Sequence, residues 1–161
     1  MVVSLKESVL MSGRLPRSDD LLQARVELLS LEDRALVEAV LLRGQSTRSL
    51  SRLMGMTTRG VRDKVNRLTR RMASSQFIDA ARSLPHLSPG DAELAKLRFC
   101  QGYRLRGLCE HLGLSEHGVR RRLDRVAAEI QAINRITRRN ARAAAQAYRE
   151  YWDGPAEGAG E

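Results

Sequence analysis

The sequence is poor in cysteine and has no long apolar run. Cys100 and Cys109 are the only cysteines among its 161 residues. Two cysteines without a repeated spacing predict small core residues in a reducing compartment rather than a disulfide framework. No apolar stretch approaches the ~20 residues that span a bilayer, and the first residues lack the sustained apolar segment of a secretory signal. We therefore expect a cytoplasmic protein without membrane contact.

The sequence also lacks the side-chain combinations that catalysis and metal binding require. Cys109, His111 and His117 do not form paired ligands at the spacing of a zinc site. No nucleophile stands beside a base, and no glycine-rich loop could cradle a phosphate. Asp33 and Asp91 fall in the first turns of predicted helices, where an acid faces the helix dipole. We predict that the protein is not an enzyme and binds neither a metal nor a cofactor.

What the chain has in excess is positive charge. Its 28 lysines and arginines exceed its 19 acids, which leaves a formal net charge of +9 and a pI near 10.7. This excess favours a polyanionic partner. Arginine dominates the basic set, and its planar fork suits phosphate and guanine. The alternative is a soluble surface that is basic without a specific partner.

Residues 102–125 carry the pattern that organises the chain. Gly113 follows the last apolar residue of a predicted helix, where glycine most readily adopts a left-handed conformation. Ser115 can then cap a second helix. In that second helix Val119 falls on the inward face and Arg120 on the outward face. A helix, a tight turn and a second helix rich in arginine predict a helix-turn-helix whose second helix enters the major groove of duplex DNA.

The same pattern occurs earlier in the chain at a constant offset. Gly55 matches Gly113, Gly44 matches Gly102, and the Gly-Val-Arg step that begins at Gly60 recurs at Gly118. Amphipathic helices share apolar positions by chance, but the matched glycines and caps indicate an internal duplication. We predict an all-α fold with two tandem helix-turn-helix units and a long C-terminal helix. The predicted ranges are an N-terminal arm (1–17), a first unit (18–73), a second unit (74–133), and a C-terminal helix with an acidic tail (134–161).

The predicted C-terminal helix carries an apolar seam followed by arginines. One interpretation is dimerisation through this helix, with the arginines helping on the phosphate backbone. The other is that the helix folds back and covers its own core. The pattern does not decide between them, because the seam runs for only about two heptads. The seam residues, at spacings of four and three, are Val119, Leu123, Val126, Ile130 and Ile133.

Candidate DNA contacts follow from the geometry of a helix-turn-helix. The first residues of the second helix reach base edges, and outward residues one turn later reach bases or phosphates. Arg48 and Arg106, near the starts of the preceding helices, are candidate phosphate clamps. The alternative is a solvated polar face, although that face is basic in both copies. The candidate reading residues are Thr57, Thr58, Arg59, Arg62, Asp63 and Asn66 in the first unit, and Ser115, Glu116, His117, Arg120, Arg121 and Asp124 in the second.

Residues 105–125, with Leu-Gly-Leu-Ser at 112–115, resemble region 4 of sigma-70-type factors and the helix-turn-helix of LuxR-type regulators. The first unit looks like a more diverged copy. Where that family prefers alanine, this chain has Ser51 and Cys109, which are both small enough to pack. The resemblance implies recognition of promoter DNA and, as an alternative function, a co-regulator that contacts RNA polymerase.

A second resemblance, to the KorA/TrfB plasmid repressors and related fimbrial regulators, covers about residues 75–130. It rests on Ser-Gln-Phe at 75–77, Gly-Leu-Ser at 113–115 and Gly-Val at 118–119. It implies a small cytoplasmic DNA-binding repressor that acts on operators as a dimer or higher oligomer, and DNA binding would make the protein nucleoid-associated.

Together these features predict a sequence-specific, double-stranded DNA-binding transcription regulator, with repression favoured and dimerisation through the C-terminal helix. Three alternatives stay open. One is the polymerase-binding co-regulator, and another is an adaptor or antitoxin that uses the helix-turn-helix fold for protein contact. The third is nucleoid-type binding with little sequence preference, which the charge would also support.

Overall fold

The computed structural model describes residues 18–152, with side chains described for residues 20–149. Within that part of the chain every element is helical, which confirms the predicted all-α fold with two tandem helix-turn-helix units and a long C-terminal helix. The predicted arm at 1–17 and the predicted acidic tail lie outside the described residues. The α-helices are α1 (Ser18–Val26), α2 (Leu31–Val37), α3 (Thr47–Met54), α4 (Thr58–Ala73), α5 (Ser75–Ser83), α6 (Pro89–Ala95), α7 (Leu105–Leu112) and α8 (Glu116–Trp152).

The described chain divides into two compact units. The N-terminal unit holds the described residues up to Ala81 together with Phe99–Gly102, and the C-terminal unit holds Arg82–Arg98 and the residues from Tyr103 onward. Each unit contains one helix-turn-helix, formed by α3 and α4 in the first and by α7 and α8 in the second. None of the helices between residues 18 and 152 combines the length and apolar character needed to cross a membrane.

The two units repeat the same elements at the same spacing. Both α2 and α6 continue into a π-helical turn, at Glu38–Leu42 and at Lys96–Cys100. Because π-helical turns are rare, their recurrence is stronger evidence of duplication than a shared apolar period. Corresponding helices begin at one constant offset along the chain, at Leu31 and Pro89, at Thr47 and Leu105, and at Thr58 and Glu116.

Local chemistry explains where the helices of each turn begin and end. Gly55 and Gly113 end α3 and α7 in the left-handed conformation, with φ of 63° and 64°. Among the described residues, no atom beyond the immediate neighbours lies within 4 Å of a Cβ added at either glycine. Glycine is therefore favoured there by backbone conformation alone. Thr57 and Ser115 then cap α4 and α8 by accepting a hydrogen bond from the backbone N–H three residues on, at 3.0 and 3.2 Å.

In each unit the second helix of the helix-turn-helix, α4 or α8, buries one face in the core. The opposite face of α4 and of the start of α8 is therefore turned to solvent. Each large apolar side chain removed from water contributes roughly 1.5–3 kcal/mol, so the orientation of both helices is strongly determined. The buried side chains include Val26, Leu36, Val61, Val65, Leu68 and Phe77 in the N-terminal unit, and Leu94, Leu108, Val119, Val126 and Ile130 in the C-terminal unit.

The first half of α8 covers the core of its own unit. Val126 and Ile130 of the predicted seam are buried, whereas Leu123 and Ile133 are half-buried. Asn134 is also buried, and its Nδ2 donates to Ser83 Oγ at 2.9 Å. This part of the seam is therefore occupied within the chain. From residue 135 to residue 149 every side chain is exposed, and dimerisation through α8 stays a prediction.

Candidate nucleic-acid interface

The predicted reading residues lie on the outer faces at the starts of α4 and α8. Thr58 is half-buried, and its hydroxyl lies 3.3 Å from the hydroxyl of Ser51. The other candidates, including the candidate clamp on the preceding helix of each unit, are exposed to solvent. The exposed candidates are Arg48, Thr57, Arg59, Arg62, Asp63, Asn66, Arg106, Ser115, Glu116, His117, Arg120, Arg121 and Asp124.

Three arginines of these faces have a carboxylate one helical turn away. Arg59 Nε lies 3.8 Å from Asp63, Arg120 pairs with Glu116, and Arg106 Nε lies 3.1 Å from an acid of its own helix. Exposed pairs of this kind contribute only about 0.3–0.5 kcal/mol. A phosphate or a guanine edge could therefore replace the carboxylate at small cost.

Other arginines of the same faces are already available as donors. Within residues 18–152, no hydrogen bond or ion pair engages the guanidinium groups of Arg48, Arg62 or Arg121. A guanidinium presents its donors as a planar fork that matches two acceptors at once. These groups can therefore bind a phosphate or a base edge without breaking a contact within the described chain.

The exposed face of α4 continues one turn beyond the predicted residues. Asp63, Asn66, Arg67 and Arg70 line a shallow depression of about 410 Å³. Their spacing of three, one and three residues places all four on one side of the helix. Arg67 and Arg70 were not among the sequence-based candidates, although the same helical period that selected Asp63 and Asn66 would have included them.

Asp91 ties the first turn of α6 to the second and third turns of α8. Its carboxylate accepts hydrogen bonds from Arg122 Nε at 2.9 Å, from Arg125 Nη2 at 3.1 Å and from the Ser88 hydroxyl at 2.9 Å. The hydrogen bond from Arg122, with those from Ser88 and Arg125, holds the pKa of Asp91 below its ordinary value, against the opposing effect of burial. This clamp sets the direction in which the exposed face of α8 points.

The N-terminal unit contains the same clamp with a different cation. Lys64 Nζ lies 3.0 Å from Asp33 Oδ1, and both side chains are largely buried. In the duplication, Asp33 is the equivalent of Asp91 and Lys64 is the equivalent of Arg122. These contacts lie beyond the sequence-based prediction, because the helix dipole alone accounts for a first-turn acid. The sequence signal for these contacts is that both copies have an acid at the first position (Asp33 and Asp91) and a base at the second (Lys64 and Arg122).

Gly90 makes room for the bulkier cation of the second clamp. A Cβ at this position would lie 2.5 Å from Nη2 of Arg122. The equivalent residue of the N-terminal unit is Glu32, and there the cation is the slimmer Lys64. Glycine therefore lets the guanidinium lie over the first turn of α6.

The two cysteine thiols are wholly or partly buried, whereas the imidazoles are exposed. Cys100 is buried and Cys109 is half-buried, and neither forms a disulfide within the described part of the chain. His111 meets the ring of Tyr103 edge-on, with 6.0 Å between the ring centroids. Among the described residues no group of three His, Cys, Asp or Glu side chains converges as a metal site would require. The chemistry that the two faces offer is hydrogen bonding and positive charge.

Comparisons with models of protein families, with curated proteins and with solved structures find no match. The resemblances to sigma-70 region 4, to LuxR-type regulators and to the KorA/TrfB repressors therefore stay predictions.

Proposed function

We propose that this protein is a sequence-reading, duplex-DNA-binding transcription regulator that acts by repression, with α4 and α8 as its recognition helices. The observation that carries the proposal is the repetition of one arrangement in both units. An exposed face that includes arginine follows the same left-handed glycine and the same hydroxyl cap, and an acid–base clamp orients the helix that bears it. A merely solvated surface would not require all of these features twice.

The exposed side chains supply the donors and acceptors that a major groove recognises. Arg62 and Arg120 can fork onto a guanine, and Asn66 can pair with an adenine, each good pair being worth roughly 1–3 kcal/mol of discrimination. Arg48 and Arg106 would contact phosphates and so fix the position of each helix. The acids on the same faces can accept a hydrogen bond from cytosine N4.

Two reading faces imply a DNA site with two half-sites, and a homodimer would double that number. The formal charge of +9 adds a sequence-independent attraction to the duplex. A protein with these properties would act in the cytoplasm, at the nucleoid.

The proposal is tested by selecting sheared genomic DNA with the purified protein at physiological salt and sequencing the DNA recovered. An enriched motif with two or more spaced half-sites is the expected result. Broad recovery without a motif would replace sequence reading by architectural binding. Recovery of no DNA would refute DNA binding and direct attention to a protein partner.

The reading residues are tested by Arg62→Ala and Arg120→Ala, with Arg82→Ala on α5 as a matched control that removes one exposed charge outside both faces. We expect each reading variant to weaken binding to the selected motif by about 1–3 kcal/mol, while its affinity for a random duplex changes no more than that of the control. Equal losses on both duplexes would reduce these arginines to phosphate contacts.

A further inference from the structure

The exposed end of α8 carries a row of arginines that the helix-turn-helix does not use. This arginine stripe consists of Arg135, Arg138, Arg139 and Arg142, all exposed. Their spacing of three, one and three residues confines them to an arc of about 100° on the helix. The sequence from residue 130 to residue 149 contains no aspartate or glutamate. The stripe is therefore a concentrated positive charge on an exposed segment.

The arginine stripe lies in line with the reading face of the same helix. Its four residues repeat the spacing of four predicted reading residues, and each lies about five helical turns further along. Because this offset is close to a whole number of turns, the two sets share one side of α8 and are separated by about 27 Å. The buried residues Val126, Ile130 and Asn134 lie on the other side. The reading residues concerned are His117, Arg120, Arg121 and Asp124.

Such a row is unfavourable for the isolated helix. Arginines four residues apart repel each other by about 0.2–0.5 kcal/mol for each pair, and Arg135 and Arg139 form such a pair. A polyanion would reverse the sign of this term, because each phosphate would then lie close to a guanidinium. The charge pattern thus fits the backbone of a nucleic acid.

The other faces of this segment argue against a membrane as the polyanion. Interfacial helices bury Trp, Phe or Leu opposite their basic face. Between residues 137 and 147 the remaining positions are Ala, Thr, Asn and Gln, and the exposed large side chains at the two ends, Ile136 and Tyr148, are too few for a continuous apolar face. A second copy of the chain is no better an occupant for the arginine stripe, because it would bring the same charge.

We infer that the arginine stripe binds the phosphate backbone of a second segment of duplex DNA, outside the groove read by the start of α8. This inference rests on the proposed function. A major groove winds around the duplex once in about 34 Å, whereas a helix of 37 residues is straight over about 55 Å. The arginine stripe therefore lies clear of the groove that Arg120 would occupy, and the second segment belongs to another duplex.

The test compares two variants that lose the same charge. The stripe variant carries Arg135→Gln, Arg139→Gln and Arg142→Gln, and the control carries Arg43→Gln, Arg52→Gln and Arg82→Gln, which replace exposed arginines outside α8. Both are first checked for unchanged helix content. For a random duplex, the slope of log affinity against log salt should fall by about 2.7 in the stripe variant, since each lost phosphate contact removes ~0.9. The control should lose less than one contact.

A second readout measures two segments directly. Protein is bound to an immobilised duplex that carries the selected motif, and retention of a labelled random duplex is then measured. We expect the stripe variant to retain at least about tenfold less labelled duplex than wild type, while the control stays close to wild type and all three proteins bind the motif. Equal retention by the stripe variant and wild type, or equal loss in both variants, would overturn the inference.

The remaining outcomes separate the inference from the proposed function. If random duplex binds through the stripe but the genomic selection yields no motif, the inference about the stripe stands and sequence reading is refuted. If the stripe variant binds the motif and its duplex capture and salt slope equal those of wild type, the proposed function stands and the inference about the stripe is refuted. Stripe-dependent binding to anionic vesicles, with DNA capture unchanged in the variant, would assign the arginines to a membrane. If wild type binds no duplex at all, both are refuted.

Discussion

Asp91→Asn removes the charge at the centre of the clamp between α6 and α8. An asparagine keeps one acceptor oxygen but turns an amide N–H toward the donors that Asp91 satisfies. Breaking a fully buried ion pair costs ~3–5 kcal/mol. Here Arg122 is 30% exposed and Arg125 is 65% exposed, so the second cation adds little. We expect the free energy of unfolding to fall by about 2 kcal/mol, below the fully buried range because of this exposure.

The same substitution has a predicted dependence on pH. Because the pKa of Asp91 is lowered in the folded state, chiefly by the hydrogen bond from Arg122, the charged carboxylate stabilises the fold. This contribution is complete above the ordinary aspartate pKa of ~3.9. It is lost as the pH falls through the lower pKa of the folded state. The difference in stability between wild type and Asp91→Asn should therefore shrink in acid below about pH 4.

The assay is urea unfolding followed by far-ultraviolet circular dichroism, at pH 7 and then stepwise into acid. Glu93→Gln is the matched control, because it neutralises an exposed carboxylate of the same helix; we expect it to change stability by no more than about 0.5 kcal/mol. An Asp91→Asn protein as stable as this control at pH 7 would show that the clamp does not hold α8. A stability difference that persists unchanged into strong acid would refute the assigned charge.

Two further predictions concern glycines. Gly90→Ala should lower stability by less than about 1 kcal/mol, because the added Cβ would meet only the far end of the flexible Arg122 side chain, which can shift. The loss should disappear in a background carrying Arg122→Lys, as measured by urea unfolding of the double-mutant cycle, and additive losses would contradict the steric explanation. Gly55→Ala and Gly113→Ala should each lower stability by about 1–2 kcal/mol, because alanine disfavours the left-handed backbone. In the same assay Asn should lower stability less than Ala at both positions, and an equal loss with Asn would indicate a steric cause instead.

The helix-turn-helix turns could be predicted from sequence because their chemistry is local. Gly113 acts through its own backbone dihedrals, and Ser115 acts through a hydrogen bond to an N–H three residues on. The orientation of Val119 and Arg120 follows from the helical period once the start of α8 is known. The duplication strengthened each of these inferences, because every local signal occurs twice. The exposed faces at the starts of α4 and α8 could thus be predicted from the sequence almost completely.

The clamps could not be predicted in this way. Asp91 and Arg122 are separated by 31 residues, and a first-turn acid already has a sufficient local explanation in the helix dipole. The π-helical turns escaped for a related reason, because a π turn differs from an α turn by a single residue, and an apolar period over five residues does not separate them.

The use of the seam on α8 was equally beyond the sequence. Spacings of four and three are the same whether a helix packs on its own unit or on a second copy. The first half of α8 packs on its own unit, as the buried hydrogen bond between Asn134 and Ser83 shows. No pattern along the helix indicates a partner 51 residues away.

The continuity of α8 restricts how its length can change. Glu116–Trp152 is one uninterrupted helix, so one residue inserted after Asn134 would turn everything beyond it by about 100° and advance it by ~1.5 Å. An insertion of seven residues would leave the azimuth within about 20° of its present value. If the two ends of this helix act together, related chains should differ in α8 by whole-turn steps such as seven or eighteen residues, and single insertions should be confined to the connections between helices.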